Sequence, residues 1–458
     1  MNHTMKRIVT WMFVLIVILA LLLPAAFTNT KTKQKSEIDN RMLVEFPDKT
    51  AKNRNRQIEN YLEDRIGFRD RFITAYQIVT DKAFHVFSRP GYAYGSENEI
   101  FSTGDTVTYQ HKPVDQAYLD LLTAYVKGLQ RICDDNGTLL YYFVAPNKET
   151  ILPEYYPKGY EVRYDQPNRT DLIYGALNAA GIKTVDVRDS FLQRSDRASL
   201  FNLKYDPAHW NANGHFESMV AINDAIRKDD PLLSELCTDL FRIGVKTEKY
   251  FNESRFPIHE VIPTYTLIQD ETIQDDSLFS HTSPINYAYH WKNPDGEGLP
   301  RIMFIGDSYL GTGFGTEICF KTRCSEFSRI HIKNIADIPF YISAFDPDVV
   351  VIEAVERVFG EKSFWSSSVM KSALIPADGI VCEEAADTAF TVSSEGDFTL
   401  LNGAIADKNN IPIAFVCEHG GTKYYARLNR SSGEFLFAIP SQDIRTDALR
   451  FSAIRASD

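Results

Sequence analysis

Cysteine is scarce and scattered in this chain. Six occur in 458 residues, at Cys133, Cys237, Cys319, Cys324, Cys382 and Cys417, and no two stand as Cys-x-x-Cys. That spacing argues against a structural zinc site. Bridges between Cys319 and Cys324, or Cys382 and Cys417, stay open beside the alternative of isolated buried thiols. Positive charge is also short, with 49 Lys and Arg against 61 Asp and Glu and a net charge of -12. A nucleic-acid binder needs a basic surface, so that class is excluded. Nucleotide loops are missing too: Gly311, Gly313 and Gly315 do not give Gly-x-Gly-x-x-Gly, and no Gly-Lys-Ser/Thr follows. No internal repeat appears, and no cofactor is expected.

Long apolar runs are absent except for one. "MNHTMKRIVTWMFVLIVILALLLPAAF" places Lys6 and Arg7 before an uncharged stretch from Ile8 to Phe27. Twenty helical residues span about 30 Å, the thickness of the bilayer core. A cleavable signal peptide has the same character, but the run is long for one and no small-x-small site follows Pro24. The expectation is an uncleaved single-pass anchor with the large domain extracytoplasmic, in a bacterial envelope. Lys31, Lys33 and Lys35 follow the span, so charge alone does not set the orientation.

Length predicts two to three domains. Residues 1–38 read as cytoplasmic tip, anchor and polar linker. The segment 55–87 carries Ile58, Leu62, Ile66, Phe72, Ile73, Tyr76 and Val79 at helical spacing, expected as one or two helices broken near Gly67 with this stripe in the core. "GYAYGSENEIF" reads as a hairpin turning near Ser96–Asn98. From about 115, helical and strand patterns alternate, which predicts a mostly parallel sheet covered on both faces. The stretch 240–298 interrupts that rhythm and reads as an insertion or irregular β segment. From 376 to 458, short β-rich runs between Gly, Asn and Ser turns predict a small all-β domain.

Parallel sheets present their chemistry at the carboxyl ends of strands. In "RIMFIGDSYLGTG" an apolar strand ends in Gly306-Asp307-Ser308, where a sharp turn would expose a hydroxyl beside an oxyanion-binding N–H. Serine needs a base, and "YDPAHWNANGH" offers His209 with Asp206 three residues earlier. Trp210 would either wedge this loop against the core or offer a flat face to a sugar ring. A metal reading would use Asp206, His209 and His215, but no further ligand stands nearby. A third reading is a surface loop with a structurally satisfied histidine.

Gly306-Asp307-Ser308 with Asp206-x-x-His209 resembles the SGNH (GDSL-type) hydrolase superfamily. The reversed order and Trp210 after the histidine are similar to the AlgX, AlgJ and DHHW-type branch, related to polysaccharide O-acetyltransferases. "NRMLVEFPDKTAKNRNRQIENYLEDRIGFRDRFI", "YYFVAPNKETILPEYYP" and "PDVVVIEAVERVF" agree, so the likeness spans about 39–370. The superfamily's Gly-x-Asn-Asp is replaced by "EAVERV", which makes Arg357 a candidate oxyanion donor beside a structural ion-pair role. The resemblance implies an α/β, SGNH-like (flavodoxin-like), mostly parallel sheet in permuted order over 39–375, with the insertion at 240–298. It also implies a Ser308–His209–Asp206 triad with Gly306, Asp307 and Arg357 in support, a polysaccharide substrate, and a multipass membrane O-acyltransferase as partner. A glycan-binding role for 376–458 follows by position alone. The rivals are a carbohydrate acetyl esterase of the same fold and a non-catalytic glycan-binding or assembly factor.

Overall fold

In the computed structural model of the protein, the longest apolar run forms helix α1, His3–Ala26. Residues 3–36, 38, 41–104, 114–159, 168–279, 286–359, 363–373, 380–385, 388–395, 398–440, 444 and 448–456 are described. The expected domain boundaries at 38–39 and 375–376 involve positions outside that set, as do residues 280–285 of the expected insertion. The chain folds as two compact units: Met1–Phe101 with Leu203–Pro207 and Thr247–Val261, and Ser102–Asn202 with Ala208–Lys246 and Ile262–Asp458.

The first unit holds α1, α2 (Arg54–Arg65) and α3 (Arg69–Phe84). The break between α2 and α3 falls at 66–68, where Gly67 was expected to interrupt the pattern. The stripe does not face a core, however. Leu62, Ile66, Phe72, Tyr76 and Val79 are exposed, and Ile58 and Ile73 are only half-buried. The buried sides are polar instead. Asp64 takes a bidentate pair from Arg41 at 2.6 and 2.7 Å and the Val44 N–H at 2.9 Å. That pairing holds its carboxyl at about 2. Arg65, 1% exposed, donates to Val44 O at 2.7 Å and to the Glu45 carboxylate at 2.9 Å. Gln77 is buried on α3. Hydrogen bonding of Asp64 and Arg65 keeps these two groups inside, while the apolar stripe faces outward. The hairpin Tyr92–Tyr94/Ile100–Ser102 forms as expected, with Asn98 left-handed at φ 67°.

The second unit is built on a seven-stranded sheet: β1 (Leu139–Ala145), β2 (Lys183–Val185), β3 (Ile273–Gln274), β4 (Tyr287–Lys292), β5 (Arg301–Gly306), β6 (Glu326–His331) and β7 (Val349–Val355). Their spatial order is β2-β1-β7-β5-β6-β4-β3. The five strands from β2 to β6 run parallel, and β4 and β3 add antiparallel at one edge. Every residue of β7 is buried, which suits a central strand covered on both faces. β4 falls inside the stretch read as an insertion, yet it belongs to this sheet; before it comes a two-stranded ribbon, Phe241–Tyr250 with Pro257–Leu267.

Helices α4 (Gln116–Asp135), α5 (Arg169–Ala179), α6 (Ala212–Asp229) and α7 (Ile338–Phe345) lie where the 3.6-residue pattern put helices. Asp115 caps α4, and Asn168 with Asp171 forms a capping box on α5. The C-terminal segment folds as two four-stranded antiparallel sheets with a Phe-rich core of their own, around Phe415, Phe435, Phe437 and Phe451. Tyr425 N donates to Ser343 Oγ of α7 at 3.0 Å, tying this segment to the α/β layer. Cys133, Cys319, Cys324 and Cys417 are free buried thiols, so neither bridge considered from the sequence forms.

Candidate active site

The site begins with a steric fact at the end of β5. A Cβ on Gly306 would lie 2.4 Å from Glu353 Oε2, so only glycine lets the chain pass β7 here. Asp307 then fixes the turn. Its carboxylate accepts the Tyr309 N–H and the Val355 N–H, each at 2.9 Å, while its own N–H donates to Glu353 Oε2 at 2.9 Å. Glu353 is fully buried. Burial, then the neighbouring Asp307 carboxylate, push its pKa well above the usual carboxylate value. This lock delivers Ser308, half-exposed, at the first position of a 3-10 turn.

His209 comes from the loop before α6. Asn211 anchors that loop: it accepts the Asn213 and Gly214 N–H groups as helix cap and donates to Ser199 O and Phe201 O at 2.9 and 3.0 Å. Gly214 permits the close approach, since a Cβ there would sit 2.3 Å from Leu200 O. The outcome is a contact of 3.0 Å between His209 Nε2 and Ser308 Oγ across 99 residues of sequence. Arg357 Nη2 lies 3.4 Å from the same Nε2. With a proton on Nδ1 the imidazole could accept the serine proton at Nε2, the atom that Arg357 also faces.

Arg357 is held in turn by Asn147 Oδ1 and the Tyr309 hydroxyl, both at 3.1 Å, and its guanidinium lies 5.0 Å from the Tyr309 ring centre. The Tyr309 hydroxyl donates to Ala208 O. Behind Arg357, Glu356 accepts from Asn147 N at 2.8 Å and from the hydroxyls of Thr150 and Thr170. Glu149 is buried nearby, and burial raises its pKa to about 8. Ser308, Arg357 and Asn147 thus follow the carboxyl ends of three adjacent parallel strands, β5, β7 and β1.

Asp206 belongs to the first unit. It is buried and accepts from Asn252 Nδ2 at 2.6 Å. Just before it, the N–H groups of Leu203, Lys204 and Tyr205 all donate to the Glu260 carboxylate. One sequence expectation, Trp210 as a substrate-contact candidate, changes here. Trp210 does not offer a sugar-binding face: it is wholly buried, stacked on His215 at 5.6 Å and on Phe143 at 6.2 Å, because the Phe201–Trp210 β-bridge turns it inward. It is the wedge of the two roles considered. His215 is not available beside His209 as a metal ligand; it is fully buried, its Nε2 meets Thr316 Oγ1 at 3.1 Å, and burial lowers its pKa to about 3. Among the described residues no group of three His, Cys, Asp or Glu is placed to hold a metal ion.

Sequence reasoning missed Tyr309, Asn147, Glu353 and Glu356. A signal for Glu353 was present, since one acid interrupts the otherwise apolar "VVVIEAV". Tyr309 gave none beyond adjacency to the serine.

The fold is an α/β domain with a mostly parallel sheet, a serine on the turn after a central strand, and a histidine reaching it from a separate loop. The chain is similar to the AlgX kind of that domain: residues 95–284 match the family model described as the SGNH hydrolase-like domain of the acetyltransferase AlgX. The match includes the histidine loop and ends before Ser308. Among solved structures, the Bacillus cereus PatB1 structure with a sulfonyl adduct is 11% identical, over 60% of this chain and 96% of that one, with a TM-score of 0.45. The O-acetyltransferase domain of Pseudomonas putida AlgJ is 17% identical, over 62% and 99%, with a TM-score of 0.42. Pseudomonas aeruginosa AlgX is 13% identical, over 80% and 94%, with a TM-score of 0.41. No curated protein matches the chain.

Proposed function

We propose that the protein is an O-acetyltransferase acting outside the cytoplasm on hydroxyls of a cell-surface or exported polysaccharide. The observation that carries this reading is the 3.0 Å approach of His209 Nε2 to Ser308 Oγ. Its acyl-transfer direction is supported by the acetyltransferase-type family model that matches residues 95–284. Ser308 Oγ attacks the acetyl carbonyl carbon as His209 Nε2 takes its proton; the donor oxygen departs and receives that proton. A sugar hydroxyl then attacks the acetyl-serine and gives its proton to His209, which returns it to Ser308 Oγ as the ester passes to the glycan.

Asp206 is the orienting carboxylate in this scheme, supported by its burial and by its position three residues before the histidine. The Ser308 N–H and the Arg357 guanidinium are the candidate oxyanion donors, with Gly306 and Asp307 shaping the turn. α1 serves as a single-pass anchor, an assignment supported by its length and composition. A multipass membrane acyltransferase would supply the acetyl group on the donor side.

The test compares surface-glycan acetylation in cells carrying wild type or Ser308→Ala at matched protein level. Loss of glycan acetate is expected. Intact acetylation would mean a non-catalytic role. Free acetate released by the purified protein, with a glycan acceptor present and left unmodified, would mean an esterase.

A further inference from the structure

The outward stripe of α3 has one face of the protein's own chain to continue: the membrane helix. In the first unit, the end of α1 and the α2–α3 junction are joined directly. Gly67 N donates to Pro24 O at 2.9 Å, satisfying a carbonyl at the helix end that has no partner within the helix. A Cβ on Gly67 would sit 2.6 Å from the Phe27 Cβ, so glycine is what lets the two segments touch. Asn29 N donates to Arg65 O at 2.8 Å, and the buried Arg65 guanidinium returns bonds to Asn29 O and Lys31 O. Phe68 adopts a left-handed conformation at φ 62°, which a bulky residue rarely takes. That backbone sets its ring 5.2 Å from Phe27 and 6.5 Å from Phe72. An aromatic line therefore runs from the end of the span onto α3, and Phe72, Tyr76 and Val79 extend it at helical spacing while 60–65% exposed.

From these contacts we infer that α3 lies on the lipid surface of the leaflet from which the chain emerges, with Phe68, Phe72, Tyr76 and Val79 in the bilayer interface. The inference rests on the anchoring role proposed for α1. Water is a poor neighbour for this stripe, and a protein partner would have to approach a face joined to the end of the span. Basic residues flank it: Arg71 lies 5.9 Å from the Phe68 ring, and Arg69 and Lys82 stand on the same helix. An apolar stripe edged by cations is what an interfacial helix presents to anionic headgroups. At 16 residues, α3 would lie along about 24 Å of the surface. Lys31, Lys33 and Lys35, which the charge rule left unexplained, would then stand at headgroup level on the same side.

The test uses full-length protein in phosphatidylcholine–phosphatidylglycerol vesicles, with and without brominated acyl chains that quench tryptophan. Trp11 in α1 is a native reporter of insertion, assigned by Trp11→Phe, while Trp210, Trp291 and Trp365 are buried in the protein. Tyr76→Trp places a second reporter on the stripe. The emission lost to brominated lipid should rise by one further tryptophan's share over wild type. Quenching of Trp11 with no added quenching in the Tyr76→Trp variant would overturn the interfacial placement and leave the anchor standing. Quenching of neither reporter would remove both.

Discussion

The Tyr309 hydroxyl, one residue past the serine, donates to the carbonyl of Ala208, one residue before the histidine. Ser308 and His209 thus meet because their immediate neighbours are tied, and the same hydroxyl also receives Arg357. Tyr309→Phe keeps the ring and removes both bonds. Activity toward a soluble acetyl ester should fall about 10–100-fold, mostly in kcat, as expected when a reacting group is slightly misplaced. Stability should fall by about 1–3 kcal/mol, the usual net worth of two hydrogen bonds. Unchanged kcat would mean that the loop is held without this tie.

Ser308→Ala and His209→Ala should each lower acetyl turnover by about 10⁴-fold or more, and the double variant should lose little beyond either single. Additive losses, measured with the same ester, would contradict a shared proton transfer.

Gly306→Ala drives a methyl group against the Glu353 carboxyl. About 1–3 kcal/mol of overpacking is expected, with loss of activity as the turn shifts. Shortening the obstacle in Gly306→Ala/Glu353→Ala should recover part of the thermal stability without restoring activity, because the Asp307 N–H then loses its acceptor. Thermal melts and ester turnover on wild type and the two variants separate the two effects.

Glu149 has a pKa near 8 when folded, against about 4.3 in an unfolded chain. The folded state therefore binds more protons between those values, and stability should decline as pH rises through that window. The slope from this one group is at most about 1.4 kcal/mol per pH unit. Glu149→Gln removes it, so the fall in Tm between pH 6 and pH 8 should be smaller than in wild type. An unchanged Tm profile would show that Glu149 ionises at an ordinary value.

The alternation of strand and helix was readable because it is local. An unbroken apolar run such as Val349–Val355 suits only a strand covered on both faces, and Asn168 with Asp171 marks a helix start whatever surrounds it. The glycine–acid–serine turn after such a strand and the loop carrying His209 were legible as local patterns, and the fold brings Ser308 Oγ and His209 Nε2 to 3.0 Å. The network behind this pair was not legible. Tyr309, Asn147 and Glu356 act through partners 100 to 210 residues away, and no spacing in the chain encodes such a pairing.

By itself the sequence determined which segments are helix and strand, that one run can span a bilayer, and which side chains carry reactive groups. Tertiary structure alone decided which way each surface faces. Periodicity reports that α3 has an apolar side and Trp210 an apolar ring, but not what lies opposite them. Hydrogen bonds held Arg65 inward while Phe72 stayed exposed, and a backbone bridge turned Trp210 in.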